Sequence, residues 1–262
     1  MLKTYTAYIF LFFLCMTTIC ICEDNYLECS ICDSYIQETD YLIDVWGNPF
    51  HLKHKEEGLF CECCSRIISK KITNGGYQLN DGRYICSLCD VSIIKTDEDL
   101  KNSIKNTLLI LNTMGLNLIK ENELEIKLIN RLEMMQKYKF NDNKHLQCLT
   151  EISIDNDIKF HISILNNIPK IQFEAILAHE LLHVWLYKKN INLPKATMEG
   201  FCNLGSYLIY KSYDTKFSKI HLMSIENNKK NKYVKQYKIL KSIMEKNSFR
   251  YILNNITKID IQ

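Results

Sequence analysis

The stretch Ile176–Tyr187 places two histidines four residues apart inside an otherwise apolar segment. On an α-helix with 3.6 residues per turn, His179 and His183 lie on one face, one turn apart, and Glu180 flanks that face. Apolar side chains surround these three residues on nearly every side, which predicts a buried helix. They are Leu177, Leu181, Leu182, Val184, Trp185 and Leu186. Buried polar groups need partners, so the segment predicts a site rather than a solvated surface.

A divalent metal is the partner that this spacing favours. Two neutral imidazoles on one rigid helix can chelate zinc, and the order His-Glu-x-x-His is that of zinc hydrolases. Catalytic zinc takes three protein ligands and keeps one position open. Glu199, sixteen residues after His183 on the next predicted helix, can complete a His-His-Glu set. Glu180 is then the general base, which takes a proton from a zinc-activated water.

The neighbourhood of this site contains residues whose roles the sequence defines less sharply. Asn203 follows Glu199 by four residues on the same helical face and can hydrogen-bond a ligand histidine, although an exposed asparagine fits the pattern equally well. Two cysteines are expected to be small apolar residues, and three histidines to lie on the surface. The two cysteines are Cys148 and Cys202, and the three histidines are His145, His161 and His221.

Residues 25–92 carry cysteines and histidines in pairs separated by two residues. Such a knuckle points two ligand atoms at one metal, whereas disulfides show no such spacing. Four pairs supply eight ligands, enough for two tetrahedral zinc ions. The first set is Cys29, Cys32, His51 and His54, and the second set is Cys61, Cys64, Cys86 and Cys89. Cys63 is left over, and the choice of Cys61 with Cys64 rests on spacing alone.

A module of this size buries little apolar surface and is expected to depend on metal for folding. Its turn sequences predict short β-hairpins. The turn sequences are Trp46-Gly47-Asn48-Pro49, Asn74-Gly75-Gly76 and Asn80-Asp81-Gly82. Sites closed by four protein ligands favour a structural or partner-binding role. A secreted domain stapled by disulfides is the alternative.

The order of motifs in this module is specific. Cys-x-x-Cys, Trp-Gly-Asn-Pro-Phe-His, Phe-Cys-x-x-Cys-Ser-Arg and Asp-Gly-Arg-Tyr-Ile-Cys-x-x-Cys together resemble a LIM domain, a double zinc finger. The sequence departs from that pattern at His54, where a LIM domain commonly has cysteine. It departs again in Lys55–Phe60, which is a longer spacer than the usual two residues.

With Ala-His-Glu-Leu-Leu-His-Val-Trp-Leu and Glu-Gly-Phe-Cys further along, the chain resembles the LIM-containing zinc peptidases known from plant organ-size control and their microbial relatives. The resemblance covers residues from about 27 to at least 212. It implies a gluzincin-type peptidase, in which Glu180 is the base. The implied zinc ligands are His179, His183 and Glu199.

Residues 1–22 are expected to be a targeting segment, because Lys3 precedes an uncharged, mostly apolar run that Glu23-Asp24 ends abruptly. A cleaved signal peptide is the first interpretation. A retained membrane anchor also suits a run of about 18 residues, and a lipid-modified cysteine near its end is the third. Each of them sends the rest of the chain across a membrane, so a secreted or membrane-anchored protein is expected.

Residues 95–262 are expected to form an α+β domain of the small zincin-like kind. Apolar positions recur at helical spacing from Asp97 to about Met114, and Gly115 is a natural end for that helix. Strands are expected before the metal helix, and one of the two later strands is expected to pair with an extended peptide substrate. The three expected strands are Leu124–Met134, Leu146–Ser153 and Ile158–Leu165.

Composition limits the functions that remain. A chain of 262 residues with 47% apolar residues can support one sizeable core and a small module. The net charge of +3 without a basic block argues against nucleic-acid binding. The sequence therefore predicts a zinc metallopeptidase that hydrolyses protein or peptide amide bonds, with one catalytic and two structural zinc ions. The alternative is a non-catalytic secreted or membrane-tethered adaptor that binds protein partners through the LIM-like module.

Overall fold

The computed structural model describes residues 4–5, 27–37, 40–56, 58–117, 119–138, 146–154, 157–227 and 232–259. The expected targeting segment, residues 1–22, lies outside the described residues apart from the backbone of Thr4–Tyr5. His145 also lies outside them. Within the described ranges, no helix combines the length and the apolar character needed to cross a bilayer.

The chain is a mixture of short strands and longer helices. The strands are β1 Thr4–Tyr5, β2 Leu27–Glu28, β3 Tyr35–Ile36, β4 Tyr41–Ile43, β5 Pro49–His51, β6 Gly76–Gln78, β7 Tyr84–Cys86, β8 Leu124–Ile129, β9 Cys148–Ile154 and β10 Ile158–Leu165. The helices are α1 Lys70–Thr73, α2 Ser87–Asp90, α3 Asp97–Thr113, α4 Arg131–Tyr138, α5 Lys170–Lys188, α6 Lys195–Tyr213, α7 Lys216–Asn227, α8 Lys232–Lys246 and α9 Phe249–Asn255. Short 3-10 turns cover Leu52–Lys55 and Glu121–Glu123.

These elements fall into two compact units. The smaller unit comprises the described parts of Phe12–Ile93 together with Asn167–Pro169. The larger unit comprises Thr4–Tyr5 and the described parts of Ile94–Asn166 and Lys170–Gln262.

The described part of the smaller unit contains three antiparallel hairpins, and the hairpin turns predicted at residues 46–49 and 80–82 are confirmed. The turn predicted at Asn74-Gly75-Gly76 is wrong as a hairpin, because it connects helix α1 to β6. β2 pairs with β3, β4 with β5, and β6 with β7. Gly47 and Gly82 lie in two of the connecting turns with φ of +94° and +87°, a region that favours glycine because it has no Cβ. A small core packs around Phe50 and Ile67, both fully buried.

One buried carboxylate holds the β4–β5 turn in place. The Asp44 side chain accepts hydrogen bonds from the backbone N–H groups of Trp46 and Asn48, both at 2.9 Å. It also accepts one from the Ile67 N–H at 3.1 Å, across the unit. Since Asp44 is buried, these donors supply the partners that a polar group out of water requires.

The larger unit is built on a four-stranded sheet of order β1-β9-β10-β8. β10 runs antiparallel to β9, with Ile164 opposite Cys148, and parallel to β8. The predicted strand Ile158–Leu165 is confirmed with the same bounds. β9 matches the predicted strand Leu146–Ser153 with a shift of one or two residues at its ends.

The predicted strand Leu124–Met134 is wrong in its second half, because β8 ends at Ile129 and α4 begins at Arg131. Asn130 starts this helix. Its side chain accepts a hydrogen bond from the Glu133 N–H at 2.9 Å, and the Glu133 carboxylate accepts one from the Asn130 N–H at 3.0 Å. This reciprocal cap satisfies backbone donors that a helix start otherwise leaves free.

The helix predicted from Asp97 is confirmed as α3. Thr96 and Asp99 form a capping box at its start. Beyond its end, Gly115 has a φ of +105°.

Helix α5 is the centre of the larger unit. Every residue from Gln172 to Leu186 is buried, as the apolar run on all its sides predicted. Asn190, in the left-handed region at φ +53°, follows the end of α5, and Pro194 precedes α6. α6 then packs back against α5, and the Ser206 hydroxyl donates to the Ala175 carbonyl at 2.8 Å.

Gly205 permits an especially close approach of α6 to α5. A Cβ at this position would lie 2.6 Å from the Ala178 carbonyl oxygen and 3.2 Å from the His179 backbone nitrogen. Real Cβ atoms do not come so close to backbone atoms, so any other residue would push the helices apart. The spacing of α5 and α6 therefore depends on this glycine.

We predict that Gly205→Ala destabilises the protein by about 1–3 kcal/mol, because the extra methyl group overpacks the helix contact. Thermal unfolding of the purified chain measures the effect. Lys211→Ala, at an exposed position on the same helix, is the matched control and should leave the melting temperature nearly unchanged. A Gly205→Ala variant as stable as the control would contradict the close contact described.

Candidate metal centre

His179 and His183 face each other on α5 as their spacing predicted. Their Nε2 atoms lie 3.2 Å apart, and the ring centroids are separated by 5.0 Å. Both side chains are buried. Two imidazole nitrogens at this separation point toward one small volume, which suits a shared ion.

Glu199 reaches the same volume from α6. Its Oε2 atom lies 3.4 Å from His179 Nε2 and 3.8 Å from His183 Nε2. The carboxylate is 1% exposed, and among the described residues neither of its oxygens has a hydrogen-bond partner. A buried carboxylate left in this way is costly, and a divalent cation would supply the compensating charge. The three residues therefore suit a metal ion.

Burial also sets the protonation of this group. It lowers the pKa of His179 and lowers the pKa of His183 to about 3. Burial raises the pKa of Glu199. The imidazoles are thus neutral at physiological pH, and neutral imidazole is the form that binds a metal.

Asn203 contacts a candidate ligand, which decides between the two roles that the sequence left open for it. Its Oδ1 lies 3.1 Å from His179 Nδ1. An N–H at Nδ1 donates to this oxygen, and Nε2 keeps its lone pair toward the site. Asn203 therefore fixes both the orientation and the tautomer of His179.

Glu180 lies one residue after His179 and is fully buried. Its Oε1 accepts a hydrogen bond from the Cys148 thiol at 2.7 Å, and its Oε2 accepts one from the Thr150 hydroxyl at 2.5 Å. Burial raises the pKa of Glu180. The prediction that Cys148 is an ordinary small apolar residue is wrong, because its thiol contacts this carboxylate. The sequence contains only one sign of the contact, the alternation of Cys148 and Thr150 on one strand face.

Cys202 is a second buried cysteine, and it lies close to the candidate ligands. Its thiol belongs to a group with His179 and His183 in which the possible ligand atoms all lie within 4.8 Å of one another. Cys202 follows Glu199 by three residues, so both lie on one helical face. That spacing was the signal in the sequence for this proximity. The full burial of Cys202 agrees with the small apolar role predicted for it, and a metal-binding role for its thiol is a separate hypothesis.

The smaller unit brings the first predicted ligand set together. The donor atoms of Cys29, Cys32, His51 and His54 lie within 4.8 Å of one another. Cys32 Sγ is 3.5 Å from His51 Nδ1. His54 therefore lies where a fourth ligand is needed, although a LIM domain commonly has cysteine there.

The second predicted set is also assembled. Cys61, Cys64, Cys86 and Cys89 have their sulfur atoms within 4.8 Å of one another. Hydrogen bonds from neighbouring thiols, that of Cys63 first, lower the pKa of Cys61. Cys63 is buried beside this set and its thiol donates to the Asn167 carbonyl at 3.5 Å. All nine cysteines from Cys29 onward are free thiols, so the structure contradicts the disulfide-stapled alternative.

The remaining histidines divide between surface and core. His161 is half-buried and lies 2.9 Å from a Glu125 carboxylate oxygen. His221 is buried between the rings of Phe217 and Tyr210, at centroid distances of 4.3 and 5.2 Å. The prediction that His221 is a surface residue is therefore wrong, and its role is aromatic packing.

The structure defines a zinc-binding class of protein. It combines a mixed α/β architecture and small β-hairpins with Cys/His clusters of LIM-like spacing. The family described as "DA1-like: Protein DA1" matches residues 92–261. The chain belongs to the DA1-like family. It is also similar to Protein DA1 of Arabidopsis thaliana, at 23% identity over 230 residues, which cover 72% of this chain and 42% of that relative. The chain thus spans less than half the length of that relative. No solved structure matches it.

We predict that Cys61→Ser reduces bound zinc by about one ion per chain, because a tetrahedral site loses one of its four thiolates. Elemental analysis of the purified protein by mass spectrometry measures the zinc content. Cys63→Ala is the matched control, since Cys63 is equally buried but lies outside the set of four. Equal zinc loss in both variants would contradict the assignment of Cys61 over Cys63.

Proposed function

We propose that this chain is a zinc-dependent peptidase with a gluzincin-type domain, which hydrolyses amide bonds in proteins or peptides. The observation that supports it most is the buried group in which Glu199 Oε2 lies 3.4 Å from His179 Nε2 and 3.8 Å from His183 Nε2. Glu180, next in the chain to His179, is the neighbouring carboxylate. Three ligands and a separate base are what zinc-dependent hydrolysis requires.

In this proposal His179, His183 and Glu199 hold the ion, and Asn203 keeps His179 in the ligating tautomer. A bound zinc ion polarises the substrate carbonyl and lowers the pKa of water to about 7. Glu180 takes a proton from the attacking water at one carboxylate oxygen and later delivers it to the nitrogen of the leaving amine. Burial raises the pKa of Glu180, which brings the carboxylate closer to the range where it both accepts and returns a proton.

Strand β9 is the proposed docking edge for the substrate. β9 is antiparallel to β10, and its other edge pairs with Thr4–Tyr5 through Thr150 and Glu151. Thr4–Tyr5 occupies this edge in the structure and belongs to the expected targeting segment. Once that segment is removed, an extended substrate can take its place, and its backbone hydrogen bonds provide affinity independent of sequence. This suits a peptidase that acts on extended or unfolded chains.

The LIM-like unit has a different role in this proposal. Its two candidate sites each have four protein ligands and leave no position for a substrate. We assign it to structural support or to the binding of a protein partner. We also propose that residues 1–22 are a targeting segment that sends the site across a membrane, so that its substrates lie outside the cytoplasm.

We predict that Glu180→Gln lowers the rate of hydrolysis of an unfolded protein about 10²–10⁴-fold, because the amide cannot take the proton from water. Bound zinc should be unchanged, since Glu180 is not a ligand. Glu174→Gln on the same helix is the matched control. Glu174 is also buried, and it accepts hydrogen bonds from Asn106 and Tyr213 at 2.7 and 2.8 Å, remote from the proposed proton transfer.

Activity of the wild type should disappear with a chelator and return with added zinc. A fully active Glu180→Gln variant would contradict the proposed base. A Glu174→Gln variant as impaired as Glu180→Gln would mean that the loss reflects damage to the helix instead.

The position of Cys202 favours a second candidate function. If Cys202 were a fourth ligand beside His179, His183 and Glu199, the site would be closed and structural. The larger unit would then be a scaffold, and the chain a secreted or membrane-tethered adaptor that binds partners through the LIM-like unit.

Cobalt substitution separates the two functions. For the peptidase we predict that replacing Cys202 with alanine leaves the near-ultraviolet charge-transfer absorption of the cobalt protein unchanged, because the thiol is not bound to the metal. The LIM-like sulfur ligands contribute to this absorption in both proteins, so only the difference between them is informative. Loss of a thiolate-to-cobalt component in Cys202→Ala would support the closed site and the adaptor.

A further inference from the structure

Strand β9 presents two hydrogen-bond donors to helix α5. Cys148 and Thr150 are two residues apart, so they project from the same face of the strand. Both are buried, at 0% and 1% exposure. Their contacts are to one side chain, that of Glu180, which lies 30 or more residues further along the chain.

The two donors bind opposite oxygens of one carboxylate. The Cys148 thiol lies 2.7 Å from Glu180 Oε1, and the Thr150 hydroxyl lies 2.5 Å from Oε2. A carboxylate held at a single oxygen can still rotate about its terminal bond, which has a broad energy minimum. Donors at both oxygens fix the plane of the group as well as its position.

The register of the sheet connects this contact with the edge of β9. Thr150 and Glu151 are the residues at which β9 pairs with β1. An extended segment paired with this edge therefore lies directly opposite Thr150, whose side chain donates to Glu180. One strand determines the position of both the paired backbone and the carboxylate.

We propose that Cys148 and Thr150 are positioning residues that orient the Glu180 carboxylate relative to a peptide paired with β9. This inference rests on the proposed peptidase function. Neither side chain takes part in the proton transfer, since each acts through Glu180. A role in stability alone would require only that the buried carboxylate has some donor, without a defined orientation.

The first test measures kcat and KM separately on an unfolded protein substrate. Thr150→Val keeps the shape but removes the hydroxyl, and it should lower kcat about 10- to 100-fold, as small misplacements of reacting groups do. KM should stay within about twofold, because the backbone of β9 is intact. Thr150→Ser restores the donor and should recover kcat to within about threefold of wild type. Cys148→Ala should act in the same direction as Thr150→Val.

Thr107→Val is the matched control. Thr107 is a buried threonine of the same unit, whose hydroxyl donates to the Ser103 carbonyl at 2.8 Å. The variant removes a comparable hydrogen bond within α3, and its kcat should equal that of the wild type. Zinc content should be the same in all of these variants.

The second test does not depend on activity. Melting temperatures of the protein as purified are compared for Thr150→Val, Glu180→Ala and the double variant. If the hydroxyl holds the carboxylate, the double variant should lose about 2–4 °C less than the sum of the two single losses. Thr107→Val combined with Glu180→Ala should give additive losses.

The two tests separate failure of this inference from failure of the proposed function. A wild-type kcat in Thr150→Val, or additive melting losses for Thr150 with Glu180, would overturn the positioning role while the peptidase stands. If the wild-type chain is inactive but the melting losses are non-additive, the proposed peptidase function and the positioning role are both overturned. The contact between Thr150 and Glu180 would then contribute only to stability. If Thr150→Val does not fold, Cys148→Ala and Thr150→Ser decide by the same comparisons.

Discussion

The contact between α5 and α6 is the constraint on which the rest of the larger unit depends. Gly205 lets the two helices approach until the Glu199 carboxylate lies within 4 Å of both imidazoles. That proximity is unfavourable without a cation, because no described residue donates a hydrogen bond to the buried carboxylate. The fold thus brings together a group of side chains that a divalent ion would stabilise.

The two units use metal-ligating residues in different ways. In the smaller unit, two sets of four Cys and His side chains lie among short hairpins with a small core, so bound zinc would contribute directly to folding. In the larger unit, the buried sheet and helices already form a sizeable core. In the proposed peptidase the His-His-Glu group serves chemistry rather than folding, because the larger unit has other sources of stability.

The sequence predicted what depends on local spacing. Histidines four residues apart on an apolar segment, and ligand pairs two residues apart, are arranged by the helix and the knuckle themselves. It did not predict contacts made by distant strands, as Cys148 and Thr150 make with Glu180. The strand predicted at Leu124–Met134 failed for a different reason. The reciprocal cap between Asn130 and Glu133 starts a helix there, and it outweighs the strand preference of the neighbouring residues. His221 was misassigned because its burial depends on aromatic partners in the tertiary structure.

The most direct measurement is an anomalous difference map collected at the zinc absorption edge from crystals of the chain. We predict a peak about 2.0–2.2 Å from Nε2 of His179, Nε2 of His183 and a carboxylate oxygen of Glu199, with one coordination position not occupied by protein. A peak bound by the Cys202 sulfur as a fourth ligand would contradict the open site. So would a zinc-loaded crystal with no peak at these three residues.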